Sequence, residues 1–435
     1  MIACARDHER PVTDQASRPE AQPLSAWRAE WIAHPTVDRN EADTLILPPA
    51  AYFRKTFTLP GVSRRGTVHF TALGIVDVRV NGELVTEDRF LPGWTDYNQR
   101  VYYLSYDVTD KLRAGKNTVE ATLADGWYAG YVGPKELSEP LNRQLYGEQT
   151  ALRLQLEVTG ADGTQHRTVT DSSWQATTGP VRYADLLMGE FYDARLQPED
   201  WTSVETLPDT FVRPQPYIGN PVQVYAELPT RTVRHLGDDT YLFDLGQNFA
   251  GYIRLKYRGQ RGDTLTFRHG EMLYPDGSLM TENLRFARAT DIYVARGEEE
   301  EVWEPRFTYH GFRYVEVSGL SSANREMITG VALSASTPRT STFTSSDTLL
   351  RRLYENIIWT QRSNFLEVPT DSPQRDERLG WLGDAQIFSR SALYNTYLLD
   401  FYRKWLADVR DAQYDDGPYS VFAPRPYPDL RWYSP

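Results

Sequence analysis

The chain has 435 residues, of which 40% are hydrophobic, 24% charged and 13% aromatic, and its net charge at pH 7 is −12. This is an ordinary globular composition for about three domains, and the acidic balance argues against a nucleic-acid partner, which would need a basic face. A single cysteine, Cys4, excludes an internal disulfide and a cysteine-rich zinc site.

The distribution of apolar residues and histidines argues against a membrane protein, a secreted protein and a metal site. No run of 18 apolar residues occurs, and the N-terminus carries charges from Arg6 without an apolar segment. We therefore expect no membrane span, no secretory signal and a cytoplasmic location. The seven histidines stand singly in the sequence, without metal-ligand spacing, so we predict no metal site. They are His8, His34, His69, His166, His235, His269 and His310.

Residues 1–26 are polar and aperiodic, and we predict a disordered leader. Residues 27–215 show the period of two that β-strands have. Val76, Val78 and Val80 alternate with polar residues, and Asn81-Gly82 then predicts a type I′ hairpin turn. A similar alternation ends at the turn residues 160–163. The pattern predicts an antiparallel β-sandwich. The second alternating set comprises Leu152, Leu154, Leu156 and Val158.

A proline-rich passage separates this region from a second β-domain, for which we predict residues 216–342 including a linker from 320. Turn residues at 275–277 and aromatic runs indicate further strands, so the fold class predicted up to this point is two antiparallel β-sandwich domains. One strand within the linker is expected at ITGVALSA, residues 328–335.

From Ser346 the period changes from two to 3.6, so residues 343–435 are predicted to begin a helical domain, with Ser346 as N-cap. A second helical pattern runs from Asp384 to Ala412 and ends before Gly417-Pro418. The apolar stripe of the first helix comprises Leu350, Leu353, Tyr354, Ile357 and Ile358. That of the second comprises Leu398, Tyr402, Trp405, Val409 and Ala412.

The loop between these helices, DSPQRDERLGWLGD at 371–384, holds four acids and two arginines in fourteen positions. A carboxyl among like charges has its pKa raised, which is one way to make a proton donor near neutral pH. The alternative is an ordinary solvated loop, in which Asp, Arg, Pro and Gly are common.

The order of residues in this loop resembles the signature of bacterial α-L-rhamnosidases, glycoside hydrolase family 78. That family usually reads Asp-Cys-Pro-Gln-Arg-Asp-Glu-Arg-x-Gly-Trp-x-Gly-Asp, and this chain departs mainly by Ser372 in place of cysteine. Stretches such as DGWYAGYVG (125–133) and FDLGQNFAGYIRL (243–255) are similar to the two β-domains of the family. The resemblance covers residues 27–435.

The resemblance implies an (α/α)6 barrel as the catalytic domain. Twelve helices need about 200 residues, and fewer than 100 follow Ser346 in this chain. We therefore expect only the first helices of an incomplete barrel, a truncated chain, and little activity from it alone.

The family inverts configuration with two glutamates, a proton donor and a base across the sugar ring. By match to the motif, Glu377 takes the place of the general acid, and Asp376 is either its rival or a neighbour that raises its pKa. The base of the family lies further downstream, and Glu377 is the last glutamate here. Asp400, Asp408 and Asp411 are predicted to be surface residues with basic partners. The residues that match the rhamnose-binding positions are Asp371, Arg375, Trp381 and Asp384.

A second candidate site lies in the first β-domain, which resembles rhamnose-binding modules of some members. Its aromatic and polar residues would hold sugar hydroxyls, with calcium as a possible aid and no other cofactor expected. The alternative is that Trp94 and Trp127 belong to the sandwich core. The set comprises Trp94, Asp96, Tyr97, Asn98, Trp127 and Tyr128. Glu271, Glu282 and Asn283 also resemble the family, without an assigned role.

The sequence is compatible with two functions. The first is an enzyme that acts on rhamnose-containing glycosides. The second is a non-catalytic, carbohydrate-binding β-domain protein. The sequence leaves the aglycone, the linkage and the oligomeric state undetermined.

Overall fold

The computed structural model describes residues 24, 26–35, 45, 47–134, 137, 142–209, 212–336, 338–427 and 430–431. Of the predicted leader, only residues 24 and 26 lie within this part of the chain. The described residues are mostly β-structure, followed by helices near the C-terminal end, as the change of period at residue 346 predicts.

Fifteen strands precede residue 217 in the described chain. The Asn81-Gly82 turn is confirmed, because both residues have positive φ (53° and 87°) and Val80 pairs with Glu83 across it. The strands are β1 (Trp31–Ala33), β2 (Ala51–Leu59), β3 (Ser63–Leu73), β4 (Ile75–Val80), β5 (Glu83–Leu84), β6 (Tyr102–Asp107), β7 (Gly115–Ala124), β8 (Ala151–Gly160), β9 (Gln165–Val169), β10 (Gln175–Thr178), β11 (Val181–Asp185), β12 (Gly189–Asp193), β13 (Thr202–Ser203), β14 (Glu205–Leu207) and β15 (Gln215–Pro216).

Most of these strands form two sheets that share one apolar core. One sheet has the order β14-β1-β8-β3-β6-β15 with β9 beside β8, and the other has the order β13-β10-β2-β7-β4-β5. The alternating residues Val76, Val78 and Val80 lie in this core, each at most 2% exposed. The pairing is antiparallel except between β6 and β15, which run parallel.

The next ten strands form a third sheet and a small hairpin. They are β16 (Gln223–Pro229), β17 (Thr232–Gly237), β18 (Thr240–Tyr257), β19 (Thr264–Gly270), β20 (Met272–Leu273), β21 (Leu279–Met280), β22 (Thr290–Val294), β23 (Glu301–Trp303), β24 (His310–Ser318) and β25 (Ile328–Ser334). The strand expected inside the linker is confirmed as β25.

The third sheet also takes in two strands that precede the predicted boundary at residue 216. Its order is β11-β12-β22-β19-β24-β18-β25-β16, and β17 and β23 pair with β18. Strand β12 runs parallel to β22. The ten strands of the third sheet, β11, β12, β16–β19 and β22–β25, are joined by hydrogen bonds in one continuous sheet. The sequence instead predicts a second antiparallel sandwich. The pairing of β12 with β22 joins segments about 100 residues apart, so the local sequence pattern could not predict it.

Four α-helices are described: α1 (Gly126–Ala129), α2 (Thr348–Asn364), α3 (Leu382–Asn395) and α4 (Leu399–Asp411). The N-cap of α2 is Asp347 and not Ser346, because its carboxylate accepts from Leu349 N at 2.8 Å. The single pattern predicted from Asp384 to Ala412 is two helices. The helical pattern is interrupted between α3 and α4. There the segment before α2 packs against the chain, and Tyr397 N donates to Pro338 O at 3.0 Å.

The predicted stripe on α4 is confirmed, since Leu398, Trp405 and Ala412 are buried. The stripe on α2 is not: Ile358 is buried, but Leu350 and Leu353 are exposed. All three long helices carry exposed apolar side chains, and Ile387 on α3 is 83% exposed. No helix in the described residues is both long and apolar enough to cross a membrane.

A group of buried charges, which we call the Lys404 cluster, joins α4 to the first β-region. Lys404 Nζ lies 3.1 Å from Asp408 Oδ2 and 3.8 Å from Glu367 Oε2, and it donates to the Trp94 carbonyl. Thr95 Oγ1 donates to Asp408 Oδ1 at 2.7 Å. Burial raises the pKa of Glu367 to about 7, although Lys404 opposes this.

The Lys404 cluster corrects the prediction that the acids of α4 lie on the surface. Asp408 is fully buried, and Asp411 forms a two-bond ion pair with Arg100 at 2.8 and 3.0 Å. Only Asp400, which pairs with Arg403, lies on the exposed side. Thr95 and Arg100, which hold Asp408 and Asp411 from the first β-region, lie about 300 residues earlier in the chain, so helical periodicity could not indicate these two partners.

Candidate active site

The loop at 371–384 is anchored to the third sheet through Arg378. This residue has a φ of 56°, and its Nη1 donates to the carbonyls of Leu186 at 2.8 Å and Tyr309 at 3.0 Å. The guanidinium also lies over the Tyr309 ring, 4.4 Å from its centre. These contacts fix the residue directly after Glu377.

Two arginines divide the acids of the loop between them. Arg375 Nη2 lies 3.1 Å from Asp371 Oδ2 and 3.1 Å from Glu377 Oε2. Arg285, from the segment between β21 and β22, contacts Asp376 Oδ1 through Nε at 2.6 Å and Glu377 Oε2 through Nη2 at 2.8 Å. Each pair of neighbouring acids therefore shares an arginine, whose positive charge compensates the repulsion between the carboxylates.

Glu377 and Asp376 differ in their access to solvent. The Asp376 side chain is 1% exposed, whereas that of Glu377 is 14% exposed. Both guanidinium contacts to Glu377 involve Oε2. A buried carboxylate held by Arg285 has no open path to a bound sugar, so the geometry favours Glu377 over Asp376 as the residue that meets a substrate.

Asp371 lies beside them with one oxygen available. Its Oδ2 accepts from Ser372 Oγ at 2.8 Å and from Arg375, whereas its buried Oδ1 has no hydrogen-bond partner among the described residues. Burial raises the pKa of Asp371, and the Glu377 charge adds to this, against the hydrogen bond from Ser372. Ser372, which replaces the cysteine of the family signature, therefore takes part in the site.

Trp381 and Asp384 lie where the loop becomes α3. Trp381 is the N-cap residue of α3, is partly buried, and contacts the Phe422 ring edge-on at 5.3 Å between centres. Asp384 lies in the first turn of the helix and is exposed. The structure thus brings Asp371, Arg375, Asp376 and Glu377 together, whereas no described contact joins Asp384 to them.

The third-sheet region supplies polar groups that the sequence left without a role. Glu271 accepts from Asn248 at 2.8 Å and from Asn283 at 3.2 Å. Burial raises the pKa of Glu271, while these amides and the charge of Arg375 oppose the rise. The motif-based reading missed Arg285 and Asn248, because their segments lie about 90 or more residues before the signature loop.

The second candidate site is largely buried. Trp94 and Trp127 are 1% and 6% exposed and stack on each other with ring centres 5.8 Å apart. Tyr97 packs edge-on against Tyr128 at 5.3 Å. Asn98 alone is exposed, and its backbone N–H donates to Asp96. These rings form part of the core that joins the first β-region to the helices, so they present no free face to a sugar.

Two histidines that stand apart in the sequence meet in space. His269, Asp291 and His310 are fully buried on adjacent strands, and His310 Nε2 donates to Asp291 Oδ1 at 3.0 Å. The two imidazole rings stack 4.2 Å apart at 25°. One ligand atom from each of His269, Asp291 and His310 lies within 4.8 Å of the other two, which is close enough to hold a metal ion.

Because His269 is buried, we expect the stability of the fold to decrease at acidic pH. Burial lowers the pKa of His269 to about 3, and His310 adds to this. The unfolded chain binds a proton on His269 near pH 6.5, so this residue destabilises the fold as the pH falls from there towards 3. The loss at pH 5 is about 2 kcal/mol. His269→Gln removes the titrating imidazole, so urea unfolding should show a smaller decrease in stability from pH 7 to pH 5 than in the parent chain.

The surface variant His235→Gln is the control and should keep the full pH dependence, because His235 is exposed. His310 and Asp291 face His269 and are unchanged in both variants. An equal fall in stability for His269→Gln and the parent chain would contradict the prediction.

Comparison with known families matches three consecutive parts of the chain. Residues 62–235 match an alpha-L-rhamnosidase N-terminal domain. Residues 234–334 match a bacterial alpha-L-rhamnosidase concanavalin-like domain, and residues 338–434 match a bacterial alpha-L-rhamnosidase 6 hairpin glycosidase domain.

Whole-chain relatives agree with these matches. The chain is 41% identical to an alpha-L-rhamnosidase of Streptomyces avermitilis over 96% of this chain and 41% of the relative. It is 38% identical to one of Formosa agariphila over 90% of this chain and 44% of that protein. The chain therefore spans less than half the length of these curated relatives.

Solved structures give the same result. The crystal structure of the Streptomyces avermitilis alpha-L-rhamnosidase with L-rhamnose is 43% identical, with a TM-score of 0.82 over 87% of this chain and 37% of that one. That of the Aspergillus terreus enzyme is 34% identical, with a TM-score of 0.86 over 92% of this chain and 47% of that one.

Proposed function

The chain belongs to the bacterial α-L-rhamnosidase family, and from this premise we propose that it carries the proton-donor half of a glycoside hydrolase site. In this proposal the complete enzyme hydrolyses terminal α-L-rhamnosides with inversion, and Glu377 protonates the departing oxygen. The observation that carries the proposal is the arrangement around Glu377. Its Oε2 is held by Arg285 and Arg375, while the side chain keeps some access to solvent.

The neighbours of Glu377 fit the binding of a sugar. Asp371 lies next to Glu377, because both contact Arg375; its side chain is 10% exposed, and it would accept a sugar hydroxyl. Arg375 would donate to another hydroxyl, and Trp381 would offer an apolar surface to the sugar. Asp384, exposed in the first turn of α3, remains a proposed contact on the strength of its motif position alone.

We propose further that α2, α3 and α4 begin a larger helical domain of the (α/α)6 type. Supporting this, each carries exposed apolar side chains that water alone would cover unfavourably. Examples are Leu353 on α2, Ile387 on α3 and Leu406 on α4. In this proposal the second carboxylate of an inverting site would come from that larger domain, because this chain spans less than half the length of its relatives.

This proposal predicts that the 435-residue chain alone has negligible rhamnosidase activity. In this proposal the base, and the surfaces that exclude water and fix the substrate around Glu377, come from the part of the relatives that this chain does not cover. The test compares turnover of p-nitrophenyl α-L-rhamnoside by this chain with turnover by a version extended to the length of the relatives. Comparable turnover by both would show that the base lies within these residues.

The alternative of a non-catalytic carbohydrate-binding protein finds less support. Its candidate rings, Trp94 and Trp127, are stacked on each other in the core. Rhamnose binding by the extended protein without any hydrolysis would nevertheless favour that alternative over the enzyme.

A further inference from the structure

Arg285 reaches the signature loop from a different part of the fold. It follows a short 3-10 turn, Glu282–Leu284, between β21 and β22. Its guanidinium contacts the Asp376 carboxylate at 2.6 Å, the Asp376 carbonyl at 3.2 Å and Glu377 Oε2 at 2.8 Å. One planar group therefore holds two consecutive acids, an arrangement for which the five donors of arginine are suited.

The backbone of Arg285 is itself unusual. Its φ is 56° and its ψ is −115°, a combination that a residue with a side chain rarely adopts. Such conformations persist where the surrounding structure demands them, and they cluster at functional sites. The unfavourable backbone is consistent with a requirement for this guanidinium at this place.

The contacts leave the two oxygens of Glu377 in different states. Arg285 and Arg375 both contact Oε2, whereas Oε1 has no hydrogen bond or ion pair within the described residues. When Oε1 carries the proton, Oε2 becomes the carbonyl oxygen and still accepts from both guanidinium groups. The arrangement therefore fixes the carboxyl without occupying the oxygen that would donate.

We propose that Arg285 is a positioning residue for the general acid: it holds Oε2 of Glu377, and the buried Asp376 behind it, so that Oε1 faces the departing oxygen. The proposal rests on the proposed function of Glu377. It makes the segment between β21 and β22 part of the catalytic apparatus, since the other arginine on Glu377, Arg375, is shared with Asp371.

The test uses the extended enzyme and a series of rhamnosides whose leaving groups range from an alkyl alcohol to dinitrophenol. Arg285→Met should lower kcat/KM about 10- to 100-fold for the alkyl rhamnoside. The loss for the dinitrophenyl rhamnoside should stay within about threefold, because that phenolate leaves without a proton. Arg285→Lys keeps the positive charge but not the planar guanidinium with its several donors. Its kcat/KM for the alkyl rhamnoside should lie between those of Arg285→Met and the parent enzyme.

Two controls separate positioning from folding and from the identity of the acid. Arg258→Met removes an exposed ion pair with Glu300 elsewhere in the third-sheet region and should leave all substrates unchanged. In a Glu377→Gln background, Arg285→Met should have little further effect, because the proton is already missing.

The outcomes distinguish this inference from the function on which it rests. Leaving-group dependence in Glu377→Gln but not in Arg285→Met or Arg285→Lys would overturn the role of Arg285 alone. No leaving-group dependence in Glu377→Gln would overturn the acid assignment, and with it the role of Arg285. An equal loss on all substrates in both Arg285 variants would indicate a structural role only and would also overturn the inference.

Discussion

Replacing Glu377 by glutamine in the extended enzyme is expected to lower kcat/KM for an alkyl or sugar rhamnoside by about 10²- to 10⁴-fold, the usual contribution of a general acid. Glutamine keeps the shape and the carbonyl that accepts from Arg285, but it has no proton to give. Dinitrophenyl rhamnoside should be hydrolysed almost as before. The measurement is kcat/KM across a series of leaving groups.

Asp376→Asn is the matched control for this prediction. Asp376 is fully buried and bound by Arg285; asparagine keeps an oxygen that accepts from Arg285, so Glu377 should stay in place and activity should fall to a similar extent for all leaving groups. A steep dependence in Asp376→Asn together with a flat one in Glu377→Gln would transfer the acid role to Asp376.

The second large effect is expected on stability, at the Lys404 cluster. Lys404→Met leaves Glu367 and Asp408 buried without their cation, and removing one partner of a buried ion pair typically costs about 3–5 kcal/mol. Urea unfolding of the chain, followed by tryptophan fluorescence, would measure the decrease.

Two variants serve as references. Arg403→Met, next in sequence, removes only the exposed pair with Asp400 and should cost about 1 kcal/mol or less. The triple variant Lys404→Met, Glu367→Gln, Asp408→Asn has no buried charge left uncompensated and should recover much of the loss. A triple variant as unstable as the single one would show that packing of the lysine stem, not charge, is responsible.

The sequence predicted best those features that depend on neighbouring residues. The hairpin at Asn81-Gly82 depends on two residues that tolerate positive φ, and the stripe from Leu398 to Ala412 depends on helical spacing. The N-cap of α2 was wrong by one residue, because Ser346 and Asp347 are both good caps and only the structure shows which side chain accepts.

Features that depend on distant contacts could not be predicted in the same way. The motif indicated Glu377, but not that Arg285 would hold it, since nothing in the local pattern around Arg285 indicates a partner 92 residues later. Burial of Asp408 depends on Thr95, and the meeting of His269 with His310 depends on the order of strands in the third sheet. Periodicity along one segment carries no information on such pairs.

The hairpin of β11 and β12 has a consequence for the order in which the protein forms during synthesis. Phe191 leaves the ribosome about a hundred residues before Ile292, its parallel partner on β22. Until then the β12 edge has free backbone donors and acceptors, which other chains can pair with. A shortened form that ends near residue 215 would keep this edge permanently open and should aggregate, whereas one that ends after β25 closes it.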